Sequence, residues 1–186
     1  MKPTIDIEEK KLIQRCCKGN PKAQFDLYKK YHNAMYNVAL RILVDTAEAE
    51  DVMQEAFLTA FDKISTFSAE VSFGAWVKRI VINKSLDALR KRKMHFEEID
   101  ERSTTLISEE EEVDEQMYRV ASIQKALSQI SESHRILISM HLFEGYPHEE
   151  IAQILNMKHG AVRTAYARAK KKLQDEIKKI NSVESI

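Results

Sequence analysis

The sequence predicts an all-α protein built as two small helical domains joined by a flexible acidic linker. Three observations lead there. Only 4 Gly and 3 Pro occur in 186 residues, and Leu, Ile, Ala, Glu and Lys dominate, a balance that favours helices over a turn-rich β fold. Apolar residues recur at helical spacing, with no alternating strand pattern of useful length. The net charge of zero is unevenly laid out: residues 1–95 hold 17 Lys/Arg against 12 Asp/Glu, residues 96–117 hold 1 against 10, and residues 118–186 hold 11 against 7. The chain is thus basic, acidic and basic in turn, at +5, −9 and +4. Two basic modules around an acidic segment suggest two nucleic-acid contacts and a connector.

The first expected helix runs from Ile7 to Cys17 and stops at Gly19-Asn20-Pro21. Asn20 suits the N-cap of the second helix, and Pro21 its first turn, where a missing N–H costs nothing. That helix carries Ala23, Phe25, Leu27, Tyr28, Tyr31, Met35, Tyr36, Val38, Ala39 and Leu43. Asp45 or Thr46 caps a third, with Val52, Ala56, Leu58 and Phe61 among its apolar residues. Residues 65–68 break the pattern, and a long helix follows over residues 72–93. Its apolar stripe changes side near Ile82: Phe73, Trp76, Val77 and Ile80 share one face, and Ile82, Leu86 and Leu89 another. Two such faces need two different neighbours. The four cations at residues 90–93 exceed what a helix C-terminus needs and read as a phosphate-contacting patch. Residues 94–117, with glutamates at 109–112, lack a sustained apolar face and read as a solvated spacer that could also shield the basic surfaces.

Residues 147–172 read as a helix, a tight turn and a second helix ending in basic residues. Glu149 and Glu150 favour a helix N-terminus, and Ile151, Ile154 and Leu155 follow at helical spacing. Asn156 tolerates the left-handed conformation of a tight helix stop. Val162, Tyr166, Ala169 and Leu173 form the second apolar stripe, and Ala152 is small enough for the helices to approach there. Lys158, His159, Arg163, Thr164, Arg168 and Lys172 lie outward, as on a recognition helix entering the major groove. Other classes are disfavoured. There is no Gly-rich phosphate loop, nucleophile motif or metal-ligand cluster, so no enzyme, cofactor or metal is expected; His159 has no second ligand at ligand spacing. Neither a membrane-length apolar run nor a signal peptide is present, and the adjacent Cys16 and Cys17 read as reduced thiols of a cytoplasmic protein.

Two segments together resemble a known family. AEAEDVMQEAFLTAFDKI (47–64) followed by FGAWVKRIVINKSLDALRKRK (73–93) resembles conserved region 2 of the sigma-70 family, in its extracytoplasmic-function (ECF) group. LSQISESHRILISMHLFEGYPHEEIAQILNMKHGAVRTAYARAKKKLQ (127–174) resembles region 4. A helix-turn-helix alone is shared by many regulators. The run of Asp51, Gln54, Glu55, Phe57, Leu58 and Phe61, combined with Phe73, Trp76, Asn83, Asp87 and the terminal cations, is specific.

The resemblance implies a sigma factor that directs core RNA polymerase to promoters and initiates transcription. Residues 1–93 would be region 2, 94–117 the linker and 118–186 region 4. Glu48, Asp51, Gln54 and Glu55 would grip the β′ clamp coiled coil; their acidic stripe suits a basic partner, or is simply a solvated face. Phe57, Leu58 and Phe61 read as core. Trp76, Arg79, Asn83, Lys84, Arg90, Lys91 and Arg92 would read and melt the −10 element, Trp76 being either a stacking surface or a core residue. Asp87 would orient Arg90 and Lys91, and the loop at about residues 65–72 would pocket a flipped base. Lys158, His159, Arg163 and Thr164 would reach −35 base edges or phosphates, with Arg168, Lys170, Lys171 and Lys172 on phosphates, or simply solvated at a helix end. Further implied partners are the polymerase β flap and an anti-sigma factor, with a monomer when free. Asn156 stands where many members carry Gly, Pro147 where Ser or Thr is usual, and Ala165-Tyr166 where Ser-Arg is frequent. Two alternatives are a conventional helix-turn-helix regulator and a helical anti-sigma-type adaptor; the constellation over residues 76–93 argues against both.

Overall fold

The computed structural model describes residues 7–96 and 115–183. Among them the chain forms eight α-helices and no strand: α1 (Ile7–Cys17), α2 (Pro21–Leu43), α3 (Thr46–Asp62), α4 (Phe73–Phe96), α5 (Glu115–Gln129), α6 (Glu132–Ile138), α7 (His148–Ile154) and α8 (His159–Val183). A 3-10 turn follows α3 at Ile64–Thr66, and a π turn follows α6 at Ser139–Phe143. The chain divides into two compact units, Met1–Glu97 and Glu98–Ile186. Among the described residues no helix is long and apolar enough to cross a membrane. Both ends of the expected linker are helical, because α4 continues to Phe96 and α5 begins at Glu115, with no Gly or Pro there to stop either helix. The rest of it, residues 97–114 with the glutamate run, lies outside the described residues.

Local capping sets the helix starts of the first unit. Asn20 Oδ1 accepts from the Ala23 N–H at 3.0 Å, Asp45 Oδ1 from Glu48 N–H at 2.8 Å, and Ser72 Oγ from Ala75 N–H at 3.2 Å. Gly19 takes φ +72 in the turn between α1 and α2. The core joins Leu27, Met35, Val38 and Ile42 of α2, Val52, Met53, Ala56 and Phe57 of α3, and Phe73, Val77, Val81 and Ile82 of α4. The stripe on α4 does change side: Phe73 and Val77 are buried in its first half, Ile82, Leu86 and Leu89 in its second. Trp76 and Ile80 are half-buried. Two apolar residues depart from expectation. Leu58 is 67% exposed because it continues the outward row of Asp51 and Gln54. Phe25 is 59% exposed, with the Lys29 ammonium 5.6 Å from its ring centroid.

Polar contacts dock α1. Glu9 is 6% exposed, accepting from Lys30 Nζ at 2.6 Å and from the Tyr31 hydroxyl at 2.9 Å. Burial and the Glu9 carboxylate push the Tyr31 phenol well above its ordinary pKa, so it stays a donor. The Tyr31 ring in turn lies over Gly74: a Cβ there would stand 2.7 Å from Cε1. Since Glu9 and Phe73 hold the ring, Gly74→Ala should cost about 1–3 kcal/mol in a denaturant melt. Gly160→Ala, where a Cβ meets nothing within 4 Å, should be neutral or slightly stabilising. Equal effects would show that the Tyr31 contact is not the cause.

In the second unit, Ala126, Leu127, Ile130, Ile138, Ala169 and Leu173 form the core, with Ile123, Phe143, Tyr166, Ile177 and Ile180 packed against it. The second helix of the helix-turn-helix therefore does not end near Lys172. It continues to Val183 because Leu173, Ile177 and Ile180 extend its apolar stripe. The turn is as expected: Asn156 adopts φ +52, and the Met157 N–H donates to Ala152 O at 2.8 Å. Ala152 is buried, and Pro147 precedes α7 without a side-chain cap.

Candidate nucleic-acid and partner surfaces

The acidic stripe of α3 divides into two rows. Asp51 and Gln54 are exposed in line with Leu58, and the Gln54 amide donates to Glu50 Oε1 at 3.2 Å. Glu48 and Glu55 turn toward α4 instead: Glu48 pairs with Arg92, and Lys84 Nζ donates to Glu55 Oε2 at 3.1 Å. Spacing along α3 could not reveal this, because it depends on which face of α4 packs alongside.

The expected −10 residues divide in the same way. Trp76, Arg79, Asn83, Asp87 and Arg90 recur at steps of three and four and form one outward row. Arg79, Asn83, Arg90 and Lys91 are exposed, and Arg90 Nη1 donates to Asp87 Oδ1 at 2.8 Å. Lys84 and Arg92 lie half-buried against α3, apart from that row. Trp76 shares in both of its readings: half-buried, it lies 5.4 Å from Phe67 and 5.8 Å from Phe73 between centroids. Phe67 lies in the loop before α4, the stretch expected to break the helical pattern and to pocket a flipped base, where the sequence singles out no one residue. It also meets Phe73 edge-on at 5.8 Å, so it ties the loop to the foot of α4.

On the second unit Lys158, His159, Arg163, Thr164, Arg168 and Lys172 are all exposed. The Lys158 carbonyl accepts from the N–H groups of Ala161 and Val162 at 2.9 and 3.1 Å, so Lys158 stands at the head of α8. His159 Nε2 lies 3.1 Å from Glu149 Oε1, linking α8 to α7 across the turn. The Thr164 hydroxyl donates to Gly160 O at 3.0 Å, which leaves its oxygen free to accept. Lys172 Nζ is 3.4 Å from Glu176 Oε1. Hydrogen bonds from Lys179 and then Lys172 hold that carboxyl below its ordinary pKa, so a phosphate at Lys172 competes with the helix itself.

A cluster that the sequence reading missed knits the helix-turn-helix together. The π turn brings His141 Nδ1 to 2.7 Å from Tyr146 O, where it must carry the proton. The His141 ring stacks on His148 at 4.0 Å and 21°, and Tyr166 of α8 meets His141 edge-on at 4.5 Å. His148 Nδ1 is buried without a hydrogen-bond partner. Burial lowers the His148 pKa below 6.5, His141, His159 and Arg163 lower it further, and Glu149 opposes them. The folded state thus binds this proton less readily than the unfolded chain. The stability it contributes is complete above about pH 6.5 and falls as pH drops through 6.5 toward the lower folded value. His148→Phe keeps a stacking ring without the titration. It should flatten the fall in melting temperature between about pH 7.5 and 5.5; an unchanged slope would exclude His148 as its source.

Residues 27–94 match the family model Sigma-70 region 2, and residues 121–173 match Sigma-70, region 4. The chain belongs to the sigma-70 family, in its ECF group. It is 27% identical over 185 residues to the ECF RNA polymerase sigma factor SigW of Bacillus subtilis, covering 94% of this chain and 99% of that one. It is 26% identical over 174 residues to the RNA polymerase sigma-H factor of Pseudomonas aeruginosa, covering 88% and 90%. Two solved structures share its fold. One is RpoE from Bartonella quintana, in complex with the anti-sigma factor NepR, with a TM-score of 0.61, 21% identity and coverage of 82% and 95%. The other is CnrH, in complex with the cytosolic domain of CnrY, with a TM-score of 0.55, 24% identity and coverage of 90% and 95%. Sigma factors are DNA-recognition regulators, and this one acts in promoter-specific transcription initiation. The region 2 match spans both rows of α3 and α4, whereas α1 with Glu9 and the last part of α8 lie outside the matched spans.

Proposed function

We propose that this sigma factor joins core RNA polymerase through the carboxylates and amide of α3, Glu48, Asp51, Gln54 and Glu55, reads and opens the −10 element with α4, and reads the −35 element with α8. Residues 1–93 serve as the core-binding and −10 module and residues 118–186 as the −35 module, with the linker over 94–117 between them. The observation that carries the reading is the juxtaposition in one unit of Asp51 and Gln54 on α3 with the Trp76, Arg79, Asn83 row on α4. A carboxylate–amide row suits a basic coiled coil such as the β′ clamp. An aromatic beside cations and an amide suits unstacked bases. Lys158, His159, Arg163 and Thr164 lie over the head of the recognition helix, where base edges come within reach, and Arg168 and Lys172 farther along lie where phosphates do.

The catalysis belongs to polymerase, so the protein works in the cytoplasm where polymerase and chromosome meet. It is a monomer when free, contacts the β flap through its second unit, and is restrained by an anti-sigma factor. The complexes of RpoE with NepR and of CnrH with CnrY support that last partner. The test is run-off transcription with active core polymerase on promoters from the source genome. A promoter-dependent transcript that requires the factor is expected; no transcript on any of them would sink the reading.

A further inference from the structure

The pairs between α3 and α4 join two surfaces with different assigned partners. Glu48 and Glu55 belong to the carboxylates offered to polymerase, and Arg92 and Lys84 to the cations offered to DNA. Glu48 holds Arg92, and Glu55 holds Lys84 at 3.1 Å. A cation already neutralised by a carboxylate releases fewer counterions on meeting a phosphate, and it draws less charge from it. We propose that in the free sigma factor Glu48 and Glu55 mask Arg92 and Lys84 against nucleic acid, and that a basic partner surface taking up the two carboxylates frees the two cations for the DNA backbone. This rests on the assignment of α3 to polymerase and of α4 to DNA.

The exposure of the pairs suits an exchange. The side chains are 66% exposed for Glu55, 28% for Lys84, 40% for Glu48 and 32% for Arg92. Pairs this open are weak, so a competing partner can replace one member without leaving a buried charge behind. Arg79, Asn83 and Arg90 lie on the outward row and are untouched by the exchange. It therefore alters how strongly the unit holds a strand rather than which bases that row meets. Linkage makes the effect reciprocal: a strand that takes Arg92 and Lys84 leaves Glu48 and Glu55 readier for polymerase. Free factor would hold DNA weakly, and polymerase-bound factor more strongly, with no change of fold.

The experiment measures binding of the full-length free protein to a labelled oligo(dT) strand by fluorescence anisotropy across a salt series. Glu48→Gln with Glu55→Gln is compared with Glu50→Gln with Asp51→Asn, which removes the same charge from the same helix but leaves both pairs to α4 intact. The first variant should bind several-fold more tightly than the second, with a salt slope steeper by up to about 0.7 for each cation released. Adding Lys84→Gln and Arg92→Gln should remove that gain. Equal binding by the two acid variants overturns the masking. If Lys84→Gln with Arg92→Gln still weakens promoter binding of the polymerase complex, only the masking has failed. If it weakens neither that complex nor oligo(dT) binding, the assignment of these cations to DNA has failed as well. Circular-dichroism melts verify the fold of each variant, and the single Glu55→Gln variant carries the same comparison if the double variant unfolds.

Discussion

Asp51→Lys is expected to abolish binding to core RNA polymerase while leaving the melt of the free factor within about 0.5 kcal/mol of the parent. Asp51 is exposed on the outer row of α3, so the fold has little to lose there. At an interface with a basic coiled coil the substitution places like charges together, which costs several kcal/mol and suppresses docking. Glu55→Lys is a less direct probe, because it also breaks the 3.1 Å pair with Lys84 and sets two ammonium groups face to face. Binding is read by co-elution with core polymerase or by fluorescence titration. Retained binding would remove Asp51 from the site, and a large loss of stability would make it a structural residue. Leu58, 67% exposed in the same row, belongs to the surface that this measurement probes.

Phe73→Ala is expected to destabilise the first unit by about 3–5 kcal/mol. Its ring is fully buried and meets Tyr31 at 5.6 Å, Phe67 at 5.8 Å and Trp76 at 5.8 Å. Its removal leaves a cavity where the loop, α2 and α4 converge, and loosens Phe67 and Trp76 together. Trp76→Ala separates packing from function. Being half-buried, Trp76 should cost clearly less stability than Phe73, yet its loss should reduce promoter opening, read by permanganate reactivity of unpaired thymines. Polymerase binding should persist. If Trp76→Ala is as destabilising as Phe73→Ala and opening is unaffected, Trp76 is a core residue only.

What could be read without the structure was local. Asn20, Asp45 and Asn156 were legible because a cap or a left-handed turn is decided within about four residues. The side change along α4 was legible because a helix of fixed period converts spacing into direction. Val44 shows the limit. It closes α2 at φ +59, a conformation that a β-branched residue seldom takes, and its own side chain gives no hint of it. The π turn that aims His141 at His148 is equally silent in the sequence, since a single wider turn is too short to be told apart from an ordinary helical one by apolar spacing.

The sequence by itself determined the helices, their caps, the basic–acidic–basic order of the chain and the kinship of both modules. Those follow from short-range propensity, periodicity and composition. Only the tertiary structure decided that Phe57 is buried beside an exposed Leu58, that Glu9 is sealed under Lys30 and Tyr31, and that Glu48 and Glu55 face Arg92 and Lys84. The physical reason is common to all three. Period tells which residues share a face of a helix, but burial and charge pairing depend on which neighbour that face meets, and the neighbours here lie 21 to 44 residues away along the chain.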